Sequence, residues 1–349
     1  MRPLTAVLAL LLLGLGATAW VLFSQTPDPL PRTRSDAAVL PQGGAAVAAP
    51  LPALGGGGRG DGEPGSAGVR DAIENAPARA ALRAAMAQEA ERRITIDVAG
   101  LRGTAPGQAA MRCLAQQGAE DLQRLRDRAG FDPFDQIDEM AVVDGVAVAR
   151  GRFADVKWEK INEDREVEIT PYGKRGQLYL TGDRGVATWG DQLLIGDGNR
   201  DQLIAALDRI EGRAEQDEVP ELNGTAGLLP AEDLFEVLPV AYEVREPIRD
   251  YLREHHLGLG FALAASDAGV QVTVRISGDE EAVTTLTAAL ESARQGALQA
   301  DFQERLAELV KGIQIKRVED GLEIVAEVPM AMLEEVMGPC AHEDGDARE

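Results

Sequence analysis

A run of twenty uncharged residues near the N-terminus constrains this chain more than any other feature. Residues 4–23 read LTAVLALLLLGLGATAWVLF, and Arg2 precedes them. An α-helix of this length is about 30 Å long, which matches the hydrocarbon core of a bilayer. The sequence therefore predicts a membrane-anchoring helix. Because the segment before it is so short, we expect the long C-terminal part to lie outside the cytoplasm.

A cleaved signal peptide is the alternative interpretation. Its apolar core would be residues 4–16, and residues 17–19, ATA, fit the small-residue pattern of a cleavage site. The apolar run continues through residues 20–23, and this continuation favours an uncleaved anchor. We therefore expect a protein of the cell envelope that is anchored in the inner membrane. Cleavage near Ala19 would instead give a secreted or periplasmic protein.

The next segment, residues 24–78, is built mainly from Pro, Gly and Ala. It contains the stretches PDPLPRTR and PQGGAAVAAPLPALGGGG. Such a composition buries too little apolar surface to offset the entropy that is lost on ordering. The segment predicts a disordered tether of roughly 50 residues, long enough to hold the folded body several nanometres from the membrane.

The rest of the chain predicts an α+β body. Strand pairs followed by helices occur twice, at residues 79–212 and 213–340. This repetition predicts two related units of antiparallel sheet with helices packed on one face. Hairpin turns are indicated by Asp144-Gly145 in the first unit and by residues 319–321, EDG, in the second. Residues 341–349 form an acidic tail.

The charge of the chain excludes one class of partner. The net charge is −23, and the basic residues form no long run. Binding to a phosphate backbone needs clustered Lys and Arg, so we expect no nucleic-acid partner. Aromatic residues make up only 4% of the chain, which disfavours a sugar-binding cleft. The tight basic spots, residues 150–152 and 174–175, are candidates for binding an anionic group, although such residues are more often salt-bridged surface positions.

The two cysteines, Cys113 and Cys340, are a candidate disulfide. An even pair in an exported protein is commonly oxidised. The pair would close a loop of over 200 residues, for which loop-closure entropy gives about 4–5 kcal/mol of stabilisation at most. The alternative is two unpaired thiols, with Cys113 buried in a helix and Cys340 in a loose tail.

No motif assembles a catalytic, cofactor-binding or metal-binding site. Residues 196–201, GDGNRD, offer oxygen atoms at alternate positions, but the glycine that a calcium loop requires at its sixth position is missing. A strand-to-helix turn with Asn199 or Asp201 as the N-cap is favoured instead. His255 and His256 are adjacent, point in different directions and have no further ligands at metal-binding spacing.

Five stretches of the first unit follow one another in a distinctive order: ITIDVAGLRGTAPGQAA, AGFDPFDQIDEMAVV, VAVARGRF, YGKRGQLYL and QLLIGDGNRDQLIAALD. In this order the chain resembles uncharacterised exported or membrane-anchored α+β proteins of high-GC bacteria. The likeness covers roughly residues 94–212, with a weaker echo to about residue 337. Such proteins carry no established activity, so the resemblance implies no functional residue.

Two functions of different classes remain open from the sequence. The layout of anchor, tether and body, without a reactive constellation, favours a non-enzymatic envelope protein that presents its body to a protein partner. The alternative is a carboxylate- or metal-dependent envelope hydrolase, for which the only motivation is the excess of acidic residues.

The anchor prediction is tested by membrane fractionation. We expect the full chain to stay in the membrane fraction after washing with alkaline carbonate, because a spanning helix is not extracted by high pH. N-terminal sequencing should then find the segment 4–23 intact. A soluble protein whose sequence starts near residue 20 would instead identify a cleaved signal peptide.

Overall fold

The computed structural model describes the body of the chain. The described residues are 77–337, with gaps at 89, 162–165, 218–221, 223, 231–250, 252, 300–303 and 320. The predicted anchor, almost the whole tether and the acidic tail lie outside the described residues, so the statements about them remain predictions. Within the described part of the chain, no helix is long and apolar enough to cross a membrane.

The described strands join in one antiparallel sheet of twelve strands. Their bounds are β1 Arg93–Ile96, β2 Ile137–Val143, β3 Val146–Gly151, β4 Glu168–Tyr172, β5 Gly176–Thr181, β6 Arg184–Trp189, β7 Leu193–Asn199, β8 Thr225–Pro230, β9 Gly258–Ser266, β10 Gly269–Ser277, β11 Gln314–Val318 and β12 Gly321–Pro329. The spatial order is β11-β12-β10-β9-β8-β1-β2-β3-β7-β6-β5-β4. Strands β1–β7, the first half, and β8–β12, the second half, therefore meet where β1 pairs with β8.

The helices alternate with groups of strands. Their bounds are α1 77–86, α2 Val98–Arg102, α3 Ala105–Gln117, α4 Ala119–Ala129, α5 Pro133–Gln136, α6 Arg200–Ile210, α7 Glu280–Gln299, α8 Glu304–Gly312 and α9 Met330–Met337, with a 3₁₀ turn at Trp158–Lys160. The predicted α+β class with antiparallel strand pairing is confirmed.

Helices cover both faces of the first half, which differs from the expected packing on one face. Helices α2 and α4 lie over the face that carries Ile96 and Met140, whereas α1 and α6 lie over the face that carries Val148 and Ile195. The cause is visible in β2, where the consecutive residues 140–143 are all apolar, so the strand is buried on both sides. In the second half, the described parts of α7–α9 pack on one face.

The Asp144-Gly145 turn joins β2 to β3, as its sequence predicts. Asp144 has φ 45° and Gly145 has φ 85°, so both central residues lie in the left-handed region that a tight two-residue hairpin requires. The Asp144 carboxylate also accepts a hydrogen bond from the backbone N–H of Arg92 at 3.1 Å, which ties the turn to the strand beside it.

Cys113 lies buried in α3, on the side of the sheet that α9 also covers. Helix α9 packs against α3 and ends at Met337, three residues before Cys340. Cys340 itself lies outside the described residues, so its pairing with Cys113 remains a prediction. The packing of α9 on α3 supports it, because it brings this end of the chain to the helix that carries Cys113.

A thiol assay and unfolding measurements test the disulfide. We expect no reactive thiol in the denatured, oxidised protein. A double Cys113→Ala, Cys340→Ala variant should lose up to about 4–5 kcal/mol in the free energy of unfolding, because the open chain gains loop entropy when it unfolds. Two reactive thiols in the untreated protein, with no stability loss on reduction, would contradict the pairing.

Candidate functional site

The basic spot at residues 150–152 is neutralised within the fold. The side chain of Arg150 is 7% exposed, and its Nε donates to the Glu139 carboxylate at 3.2 Å, with Asp138 at 3.7 Å. Arg152 lies 3.4 Å from the carboxylate of Asp135. Arg150 therefore joins β3 to β2, and Arg152 joins the residue after β3 to α5, so the salt-bridged interpretation of this spot is correct.

The second basic spot, residues 174–175, belongs to a denser cluster that we call the hairpin corner. It brings together the turn between β4 and β5, the end of β6 and the C-terminal end of α6. Its members are Tyr172, Gly173, Lys174, Arg175, Trp189, Asp208, Glu211 and Arg213.

The centre of the hairpin corner is the carboxylate of Glu211. The backbone N–H of Lys174 donates to its Oε1 at 2.9 Å, and that of Arg175 donates to the same atom at 3.4 Å. The Nη1 of Arg213 lies 2.9 Å from Oε2. The Glu211 side chain is only 9% exposed. A nearly buried carboxylate is thus satisfied by backbone and guanidinium donors.

The carboxylate of Asp208 stabilises this arrangement through Tyr172 and Arg213. The hydroxyl of Tyr172 donates to Asp208 at 3.1 Å, and the Nε of Arg213 donates to the same residue at 2.6 Å. The guanidinium of Arg213 also lies 4.7 Å from the centre of the Tyr172 ring. Arg213 is therefore held in place by two carboxylates and one aromatic face.

Glycine makes the close approach of the turn to Glu211 possible. Gly173 has φ +61°, and a β-carbon there would collide with the carboxylate of Glu211. On the neighbouring strand the guanidinium of Arg175 stacks 4.3 Å from the centre of the Trp189 ring. The turn is thus fixed by its backbone on one side and by this stacked pair on the other.

The environment perturbs the acid–base behaviour of two corner residues. Burial acts to raise the pKa of Glu211, but the N–H donors of Lys174 and Arg175, the charge of Arg213 and the indole of Trp189 together hold that pKa below its ordinary value. Burial, followed by the hydrogen bond to Asp208, raises the pKa of Tyr172. Glu211 is therefore ionised and Tyr172 protonated at neutral pH.

The two carboxylates of the hairpin corner are held by fixed donors. Asp208 and Glu211 each contact Arg213 and a further hydrogen-bond donor, and no histidine, cysteine or serine lies among the members of the corner. Across the described residues, no group of three or more His, Cys, Asp or Glu is placed to hold a metal ion.

The other motifs of the sequence have local structural roles. Asn199 caps α6 in a reciprocal capping box with Gln202, at 3.0 and 2.9 Å, so the N-cap interpretation is correct. The Nδ1 of His255 lies 3.4 Å from the carboxylate of Asp279, which caps the start of α7. His256 has φ 47° and ends the helical turn before β9. The two histidines do not share a site.

The edge strand β4 is the other unusual feature at this end of the sheet. Among the described strands it pairs with β5 alone. Its Ile169 is 46% exposed and is the one large apolar side chain in the described part of the chain that is classed as exposed. No clear pattern in the sequence predicts this strand, because its polar and apolar residues are mixed with a proline. The sequence feature that could have indicated it is the short segment 173–175 before β5, which is the length of a hairpin turn.

Comparison with known proteins leaves the function open. The sequence matches no protein-family model and no curated protein. The structure is similar to the solved crystal forms IV, III and I of TP0453, with TM-scores of 0.41, 0.40 and 0.41 and sequence identities of 11%, 12% and 12%. The matches cover 73% of this chain in each case and 96%, 96% and 95% of those chains. We transfer nothing from this distant likeness.

A Glu211→Gln variant tests the electrostatics of the hairpin corner. Since the pKa of Glu211 is lowered in the folded state, its stabilising effect is present above the unfolded pKa of about 4.3 and is lost as pH falls through the lower folded value. At pH 7 we expect the variant to be less stable by about 1.5–3 kcal/mol. Urea unfolding between pH 7 and pH 3 should show this difference shrinking on acidification.

The control for this measurement is Glu215→Gln, at an exposed position just after α6. Its substitution should change the free energy of unfolding by less than about 0.5 kcal/mol. A stability gap for Glu211→Gln that stays constant or grows as the pH falls would contradict the assigned ionised state.

Proposed function

We propose that this protein is a membrane-anchored envelope protein whose body is a non-enzymatic interaction module. Residues 4–23 hold it in the membrane, residues 24–78 act as the tether, and the body binds a protein partner outside the cytoplasm. The observation that carries the proposal is the edge strand β4, which pairs with β5 alone among the described strands and exposes Ile169.

An edge strand offers backbone N–H and C=O groups that a second strand can pair with. On β4 the side chain of Ile169 stands opposite Tyr179 of β5, which is itself only partly buried. Next to Tyr179 lies Val186 of β6, also partly buried. This strip of apolar side chains would contact a partner that presents an extended segment with an apolar residue at the position facing Ile169.

The opposite edge of the sheet supports the choice of β4. The edge strand β11 carries the exposed charged residues Lys316 and Arg317, and its Ile315 packs against the core. Charged side chains on an edge oppose the addition of a strand. On β4, Pro171 lacks an N–H and so shortens the stretch that can pair, which limits indiscriminate association without closing the edge.

Site-specific photocrosslinking in cells tests the proposal. With a crosslinking amino acid at position 169 of the full chain, we expect one reproducible protein adduct. The same amino acid at position 314, which is exposed on β11, should not give this adduct. Position 314 is therefore the control, because an adduct formed there shows only that a protein lies near the surface of the body.

The variant Ile169→Asp should weaken partner binding by tenfold or more, because a charge would replace the apolar contact, a cost of at least about 1.4 kcal/mol. Its melting temperature should stay unchanged, since Ile169 is exposed in the body. An identical set of adducts at positions 169 and 314, or an unchanged affinity in Ile169→Asp, would contradict the proposal.

A further inference from the structure

The contacts of Glu211 form an anion-binding site in their own right. Two consecutive backbone N–H groups, of Lys174 and Arg175, converge on its carboxylate. Successive N–H groups that point into one concavity are a recurrent way in which proteins bind anions. The guanidinium of Arg213 completes the set of donors, and the Nε1 of Trp189 is buried without a hydrogen-bond partner.

The donors and the bound carboxylate come from different elements. Lys174 and Arg175 lie in the turn of the β4–β5 hairpin and Trp189 ends β6, whereas Glu211 follows the last turn of α6. A single side chain fills the site, and Gly173 provides the space for it. Removing that side chain would leave the donors in place, because the hairpin, the Arg175–Trp189 stack and the Tyr172–Asp208–Arg213 contacts do not depend on it.

We propose that the hairpin corner is a carboxylate-binding site that the chain itself keeps closed with Glu211, and that a carboxylate from another molecule binds there when Glu211 is absent or displaced. This inference does not depend on partner binding at Ile169, so the two can fail separately.

The geometry selects carboxylates over more highly charged anions. The backbone N–H of Lys174 donates to both oxygens of the Glu211 carboxylate, at 2.9 and 3.2 Å, and the guanidinium of Arg213 donates to one of them. These contacts suit a planar group with two oxygens. The Asp208 carboxylate shares Arg213 with the site and repels additional negative charge. A monoanionic carboxylate fits these contacts, whereas a phosphate would bring more charge and a tetrahedral shape.

The test uses ¹⁹F NMR on the detergent-solubilised full chain labelled with fluorotryptophan. The three tryptophans are Trp20, Trp158 and Trp189, so the Trp189 signal reports the site and the other two serve as internal references. In Glu211→Ala, acetate should shift the Trp189 signal saturably with a dissociation constant in the millimolar range. The unmodified protein should show no such shift, because Glu211 fills the site.

Two controls separate binding from general salt effects. Chloride at equal ionic strength should leave the Trp189 signal of Glu211→Ala unchanged. In the matched variant Glu215→Ala, which removes an exposed carboxylate outside the hairpin corner but keeps Glu211, acetate should also have no effect. If Glu211→Ala does not fold in chloride, we expect it to fold in acetate.

Three results would overturn the proposal. The first is a folded Glu211→Ala protein whose Trp189 signal does not shift with acetate. The second is an unfolded Glu211→Ala protein that does not fold when acetate is added. The third is an equal shift of the Trp189 signal with acetate in the unmodified protein. Tighter binding of phosphate than of acetate would overturn the assignment of the ligand class.

Discussion

The short strand β1 is the element on which the rest of the body depends. All four of its residues pair with β2 and three of them pair with β8, so β1 joins the strands of the first half to those of the second. The side chain of Thr95 donates to backbone carbonyls of the β8 segment at 3.1 and 3.3 Å, and Thr225 accepts from the N–H of Asp97. Without β1 the sheet would be two sheets, each with one more open edge.

The same strand also holds α1, the helix that follows the predicted tether. Arg93, which is 4% exposed, donates to the carbonyls of Met86 and Gln88 at the end of α1, and Arg209 of α6 donates to the carbonyl of Ala85 at 2.9 Å. Burial lowers the pKa of Arg93, and the charges of Asp144 and Asp217 oppose this effect. Two arginines thus satisfy carbonyls that a helix end leaves without partners. Because these hydrogen bonds join α1 to β1 and α6, a force applied through the predicted tether would act on all three elements.

Some of this fold could be predicted because its signals are local. The Asp144-Gly145 turn and the Asn199 cap need only a few neighbouring residues, and both lie where the sequence indicates. The stretch GFDP is also local: Gly130 ends α4 with φ 68°, Asp132 caps α5 and Pro133 begins it. The sequence of this stretch predicts a loop, because one turn of helix gives no periodic pattern.

Other features depend on distant residues and could not be predicted. The sequence 108–128 suggests one helix, whereas Gly118 separates α3 from α4 so that α3 can pack on β9 and β10 of the second half. The pairing of β1 with β8 joins residues about 130 positions apart. In the hairpin corner, Glu211 meets a turn 36 or 37 residues earlier. In the sequence, only the basic pair 174–175 indicated this site. Its acidic partner, Glu211, is too distant along the chain to belong to the same local pattern.

The hairpin corner and the β4 edge are physically continuous, since the turn that binds Glu211 begins directly after Tyr172, the last residue of β4. Glu211 therefore holds one end of the strand that we propose as the docking edge. A carboxylate that displaced Glu211 would leave the turn bound to the new ligand, while the hydrogen bond from Tyr172 to Asp208 would still join β4 to α6. If the affinity of the β4 edge for its partner changed as a result, the partner would change the affinity for the carboxylate by the same factor, because coupling between two binding sites is reciprocal.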